Sequence, residues 1–153
     1  MRVPVRKRPP TTTHQRVGIG QVTTVPFRLT LNDLPGPPHH PRCTLLVMPR
    51  EMDIANCDEL YGAVCDAVDL RRDRTNVLIL DFTRTIFTDS RGARLISATR
   101  EYAERAGIAV RLAVEEDGVV RRVVTLTGVR RDVPVFGSVA DAVAGEDELW
   151  ARD

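Results

Sequence analysis

The chain has 153 residues, enough for one ordinary domain with a core of useful size. Five of its 22 cations lie before Pro26, which leaves 17 cations against 21 acids in the rest of the chain, a net charge of −4. An acidic body gives no electrostatic reason to bind nucleic acid, and no apolar run is long enough to span a bilayer. We therefore expect a globular protein that contacts neither nucleic acid directly nor a membrane.

The cysteines and the start of the chain indicate the cellular compartment in which the protein is expected. Cys43, Cys57 and Cys65 form no CxxC pair and no metal-ligand spacing. An odd number of cysteines without framework spacing is typical of a reducing compartment. The basic start of the chain lacks the apolar core of a secretory signal. We expect a cytoplasmic protein with no metal site and no cofactor.

Composition divides the chain into three parts. Residues 1–25 mix Pro, Thr, Arg and Gly without a helical or strand period, which predicts a flexible basic tail. Residues 26–145 carry regular apolar patterns and form the predicted domain, and residues 146–153 form a short C-terminal tail. His39 and His40 lie in a Pro-rich loop, where adjacent histidines are far more often in solvent than catalytic.

Apolar patterns predict an alternation of strands and helices. Strands are expected at 27–31, 44–48, 77–81, 108–114 and 133–136, with a break after the first at Asp33. Helices are expected from Asn56 to the arginines at 71–74, from the turn at 89–92 to Gly107, at 119–126, and from Ser138 to Ala144. This order predicts an α/β fold with parallel strand pairs covered by helices.

The first predicted helix has a recognisable start. Asn56 followed by Glu59 has the spacing of a capping box, in which each side chain accepts a hydrogen bond from the other residue's backbone. Apolar residues then recur at three-and-four spacing. We expect the face from Ile54 to Val68 to belong to the core.

The stretch from Asn76 to Ile96 organises the rest of the chain. A buried strand leads through a hydroxyl-rich loop into the turn Asp89-Ser90-Arg91-Gly92, and a helix follows. The start of a helix presents unpaired backbone N–H groups and a positive dipole end, which suits an anion or a hydroxyl that becomes one. The alternative is that Asp89 or Ser90 only caps the helix, and the turn alone favours that alternative.

An enzyme is the less favoured class of function. No histidine lies in the predicted core, and no cysteine has a motif that lowers a thiol pKa. A nucleotide-binding loop is also disfavoured, because the turn at Ser90 lacks the glycines and the lysine of a P-loop.

Three segments together resemble the STAS domain of bacterial anti-sigma factor antagonists. They are REMDIANCDEL at 50–60, LDFTRTIFTDSRG at 80–92 and VRRVVTLTGVRRDVPVFGSVADAVA at 120–144. Their order and spacing match the family from Phe27 to Ala144. The resemblance implies a STAS fold, with a small mixed β-sheet of about five strands and about four helices packed mainly on one face.

The resemblance also implies a function in bacterial transcription, as a regulator of a sigma factor in a stress response. Antagonists of this family bind an anti-sigma factor that is a serine kinase and so free a sigma factor. Phosphorylation at the start of the second helix ends that binding. Carried onto this chain, the acceptor is Ser90 with Thr88 in reserve, and the partner-binding residues are Asp53, Asp89, Ser90, Arg91 and Arg94. The oligomeric state, monomer or weak dimer, stays open.

The turn departs from the family pattern at three positions. Arg91 stands where a second hydroxyl residue is usual, Thr88 where an apolar residue is usual, and Arg94 where a small one is usual. A cation near a helix N-terminus costs about 0.3–1 kcal/mol unless a partner offsets it. Arg91 therefore indicates either a partner or phosphate at this site, or a drifted loop with its guanidinium in water. The alternative function is a STAS module that cannot be phosphorylated and serves as a constitutive antagonist or a scaffold.

Overall fold

The computed structural model of the chain describes residues 30–34 and 42–145. The predicted tails, the predicted strand start at Phe27 and the two adjacent histidines lie outside these residues. The described part forms strands and α-helices in the order β1 (Thr30–Leu34), β2 (Cys43–Val47), β3 (Glu51–Met52), α1 (Cys57–Arg71), β4 (Val77–Asp81), β5 (Phe87–Thr88), α2 (Ser90–Arg105), β6 (Ala109–Ala113), α3 (Val119–Thr127), β7 (Val135–Phe136) and α4 (Val139–Ala144).

Five of the strands form one mixed sheet in the order β1-β2-β4-β6-β7. β1 is antiparallel to β2, and the other neighbours are parallel. All five residues of β4 are buried, as expected for a central strand whose two faces are both covered. The predicted α/β fold with parallel pairs is confirmed.

Successive residues of the sheet point into two apolar layers. Leu80 lies in the larger layer, which also contains buried residues of α1, α2 and α3. Ile79 lies in the smaller layer, together with Ala142 of α4. Three of the four helices in the described part therefore cover one face of the sheet, and α4 covers the other.

Strand β1 differs from the prediction at its end. The predicted break at Asp33 is wrong, because the strand continues to Leu34 and pairs there with Cys43 of β2. The carboxylate of Asp33 also forms an ion pair with Arg71 at the end of α1. Pairing with β2 and this contact keep Asp33, a residue type with poor strand propensity, in an extended conformation.

The predicted capping box at α1 is also wrong. Asn56 is the N-cap residue, but its side chain makes no capping hydrogen bond. Its Oδ1 accepts from the backbone N–H of Asp53 at 3.0 Å, and its Nδ2 donates to the carbonyl of Glu51 at 2.7 Å. The amide therefore joins the end of β3 to the start of α1. At α4 the predicted cap is confirmed, since Ser138 Oγ accepts from the N–H of Asp141 at 3.1 Å.

Candidate functional site

Two short strands at the edge of the larger core place the candidate residues. β3 and β5 form a two-stranded parallel sheet, which we call the ribbon, with Glu51 opposite Phe87 and Met52 opposite Thr88. Because the register pairs Met52 with Thr88, the residues that follow, Asp53 and Asp89, leave the ribbon at the same end. The sequence patterns did not predict the ribbon, since two residues are too few to show a strand period.

Both of these carboxylates hold backbone turns. Asp89 is the N-cap of α2, and its Oδ1 accepts from the N–H of Arg91 at 2.9 Å. Asp53 Oδ1 accepts from the N–H of Ala55 at 2.8 Å, and the Asp53 carbonyl accepts from the N–H of Cys57 at 3.0 Å. The two acids therefore fix the starts of α2 and α1.

Cys57, a buried residue at the start of α1, lies next to this end of the ribbon. The pKa of Cys57 is raised to about 11. Burial is the largest cause, the negative charges of Asp89 and Asp53 add to the rise, and the positive charge of Arg91 opposes it. Both carboxylates act on this thiol from the end of the ribbon at which Asp53 and Asp89 emerge.

Asp81, the last residue of β4, has a different environment from the two acids of the ribbon. It is buried at the end of β4, and its Oδ1 accepts from the N–H of Thr83 at 2.9 Å and from the Thr83 hydroxyl at 2.6 Å. These two bonds close the turn that follows β4.

The two candidate hydroxyls differ in exposure. Ser90 is the first residue of α2 and is exposed. Thr88 is only 6% exposed, and its hydroxyl donates to the carbonyl of Asp89 at 3.2 Å. A kinase that works on the folded protein can reach Ser90, whereas Thr88 would have to leave its packed position.

The two arginines of the turn also differ. Arg91 Nη1 donates to Asp89 Oδ2 at 3.1 Å, so its guanidinium is not simply in water. The partner that offsets a cation at this helix end is the N-cap acid itself. Arg94 is exposed, and it has no ion-pair partner among the residues that the structure describes.

Sequence reasoning missed an exposed apolar patch beside the ribbon, formed by Ile54, Ile86 and Phe87. These side chains are 69%, 58% and 48% exposed, and each lies in the ribbon or within two residues of it. The expectation that Ile54 belongs to the core is therefore wrong, because it lies in the turn before α1 and points away from the helix's buried face. Helix α3, which carries the exposed Leu126, packs against β5.

No cluster of three or more His, Cys, Asp or Glu side chains in the described residues has the arrangement of a metal site. Within the same residues, no helix is both long enough and apolar enough to cross a bilayer.

The family model described as the STAS domain matches residues 35–142. A comparison with curated proteins gives no match.

Solved structures share the fold at low identity. An anti-sigma factor antagonist from Mycobacterium paratuberculosis has a TM-score of 0.62 and 18% identity, covering 77% of this chain and 92% of that one. The antagonist SpoIIAA in its unphosphorylated form has a TM-score of 0.57 and 18% identity, covering 77% of this chain and 97% of that one. SLC26A9 has a TM-score of 0.51 and 21% identity, covering 68% of this chain but 19% of that one. With a family match over most of its length, the chain belongs to the STAS domain family.

Proposed function

We propose that this protein is an anti-sigma factor antagonist that binds an anti-sigma factor of the serine-kinase type, and that phosphorylation of Ser90 ends the binding. The observation that carries the proposal is the position of Ser90, an exposed hydroxyl at the first residue of α2, beside a surface suited to a protein partner. When the protein binds the anti-sigma factor, the sigma factor is released, and we propose that this takes place in the cytoplasm.

The apolar patch supports the choice of a protein partner. Single exposed apolar side chains are ordinary, but Ile54, Ile86 and Phe87 are all exposed within two residues of the ribbon, whose strand β5 leads into Ser90. Burying such side chains against a partner contributes about 25 cal/mol per Å² of apolar surface. Ser90 would therefore lie within or at the border of the contact surface.

The proposed modification needs no catalytic group on this chain. The kinase transfers the γ-phosphoryl group of ATP to Ser90 Oγ, a base of the kinase takes the hydroxyl proton, and ADP leaves. The product carries about −1.5 to −2 charge beside Asp89 and Asp53. A partner that covers this surface must then remove a phosphate from water next to two carboxylates, which opposes binding through desolvation and repulsion.

The test combines phosphorylation with binding. The anti-sigma kinase co-purified from the native host is incubated with ATP and the protein, and the modified residue is located by mass spectrometry. Ser90→Ala should take up no phosphate and stay bound in the presence of ATP. Ser90→Asp should bind more weakly than wild type, but less weakly than the phosphoprotein, because it has less charge and fewer acceptor oxygens.

Ser97→Ala is the matched control, since Ser97 is an exposed serine on the same helix. It should be phosphorylated at position 90 and released like wild type. Phosphate on another residue, or ATP-dependent release of Ser90→Ala, would contradict the proposed switch.

One observation favours a second candidate, the constitutive antagonist or scaffold that is never phosphorylated. Arg91 lies directly after Ser90, and its guanidinium is held by Asp89 on the turn that a kinase must contact. A wild-type chain that binds the kinase, releases the sigma factor and takes up no phosphate would support this candidate.

A further inference from the structure

Ser90 and Arg94 lie four residues apart on α2, one above the other on the same side of the helix. Both side chains are exposed. Helix side chains tilt toward the N-terminus, so the Arg94 guanidinium reaches back over the first turn, toward Ser90. An anion placed N-terminal to a cation at this spacing is the favourable orientation.

The neighbouring cation is already engaged. Arg91 donates to Asp89 from both its backbone N–H and its guanidinium, at 2.9 and 3.1 Å. Adjacent residues of a helix also do not face each other. Of the two arginines within four residues of Ser90 on α2, Arg94 is the one without an ion pair in the described part of the chain, so it is the one free to bind a group attached to Ser90.

We propose that Arg94 binds the phosphate of phosphorylated Ser90 within the same chain. This inference rests on the proposed function only for the choice of Ser90 as the acceptor. The guanidinium offers paired N–H donors that match phosphate oxygens, and it neutralises part of the dianion. Phosphorylation then weakens binding to the partner more through the size of the phosphate and the cost of removing it from water than through charge repulsion.

The experiment measures the phosphate directly and needs no kinase. Phosphoserine is placed at position 90 of the full chain during synthesis, and its second pKa is followed by ³¹P NMR at 0.1 M salt. A nearby cation favours the dianion and lowers this pKa from its ordinary value near 6. We expect the pKa in Arg94→Gln to exceed that in wild type by roughly 0.15–0.4.

Arg105→Gln is the matched control, because Arg105 is exposed in the last turn of the same helix. It lies about 22 Å along the axis from position 90, beyond the Debye length of about 10 Å at this salt concentration. Its phosphate pKa should equal that of wild type. The helix end acts on the phosphate in every variant, so its effect cancels in the comparison.

Two results would overturn the inference. One is an equal phosphate pKa in wild type and Arg94→Gln. The other is a rise that appears in Arg91→Gln and not in Arg94→Gln, which would assign the phosphate to Arg91. Failure of the kinase to modify Ser90 would contradict the proposed function instead, and the NMR comparison would still decide the role of Arg94.

Discussion

Thr88 Oγ1 occupies the space that a Cβ on Gly92 would need. Met52 Cε also lies 2.9 Å from that point, so the first turn of α2 is packed directly against both strands of the ribbon. The threonine stands where the family usually has an apolar residue, and the close approach explains why the third residue of the helix is glycine.

Gly92→Ala should therefore destabilise the protein. Alanine is better than glycine in a helix by about 1 kcal/mol, but overpacking a filled site costs about 1–3 kcal/mol. We expect a net loss in the free energy of unfolding, measured by urea titration. Thr88→Ala introduced into Gly92→Ala should recover part of that loss, because it removes the clashing hydroxyl. A double variant no more stable than Gly92→Ala alone would contradict this packing explanation.

Thr99→Val should stabilise the protein. Thr99 is 1% exposed, and its hydroxyl is the one buried side-chain polar atom in the described residues that lacks a hydrogen-bond partner. Removing an unsatisfied buried hydroxyl while keeping the side-chain shape should gain about 1–3 kcal/mol. Thr125→Val is the control, since Thr125 is an exposed helical threonine whose hydroxyl donates to the carbonyl of Arg121. Thermal melts that show the same shift for both variants would contradict the prediction.

Val64→Asp should unfold the protein. Val64 is fully buried in the larger core, and an unpaired buried carboxylate costs several kcal/mol, a large part of a domain's stability of about 5–15 kcal/mol. Leu70→Asp is the control on the same helix, because Leu70 is 70% exposed. Circular dichroism should show a folded control and a largely unfolded Val64→Asp. A native-like spectrum and melt for Val64→Asp would mean that the core is assigned to the wrong face of α1.

The sequence predicted the large elements well and the ribbon not at all. Strands β2, β4 and β6 and the helices of nine or more residues are long enough to show a period and appear where the apolar patterns indicated, whereas β1 continues past the predicted break to Leu34. The ribbon has two residues in each strand and is formed by tertiary pairing between segments 36 residues apart in the chain. Ile54 lies between the ribbon and the start of α1, so the apolar pattern of α1 does not determine its exposure.

The site was predictable in its residues and less so in its contacts. The resemblance to the family indicated Asp53, Asp89 and Ser90, and the register of the ribbon brings the two acids out at the same end. That Arg91 binds Asp89 depends on a side-chain rotamer, and a sequence pattern does not specify rotamers. The ion pair with Asp89 shows that the guanidinium is not simply in water, and whether a partner or a phosphate also uses Arg91 stays a prediction.

Alkaline solution should destabilise wild type more than Cys57→Ala. Burial and the neighbouring acids raise the pKa of Cys57 from 9.0 to about 11, so the folded state keeps its thiol proton where the unfolded state has lost it. This contribution to stability is complete below pH 9 and is lost as the pH rises toward 11. Melts of both proteins between pH 7 and 11 should show a steeper decline above pH 9 in wild type. Other titrating groups are common to both, and parallel curves would contradict the assigned pKa.

Arg91→Ser should leave the fold almost unchanged and restore the pair of hydroxyl residues that is usual in the family. The exposed ion pair with Asp89 is worth at most about 1 kcal/mol, and removing a cation from the helix N-terminus returns about 0.3–1 kcal/mol. Asp89 still accepts from the backbone N–H of residue 91, so the cap of α2 remains. The measurement is the rate and position of phosphorylation by the anti-sigma kinase. If Arg91 limits access to the turn, we expect faster phosphorylation than in wild type.

Arg91→Ala separates the two effects of that change, because it removes the guanidinium without adding a hydroxyl. Faster phosphorylation of position 90 in both variants would show that the arginine slows transfer to Ser90. Phosphate found only at position 91 of Arg91→Ser, with wild type and Arg91→Ala unmodified, would show that Ser90 is not an acceptor. The natural chain would then lack an acceptor in this turn, and the constitutive antagonist would be the function that the site supports.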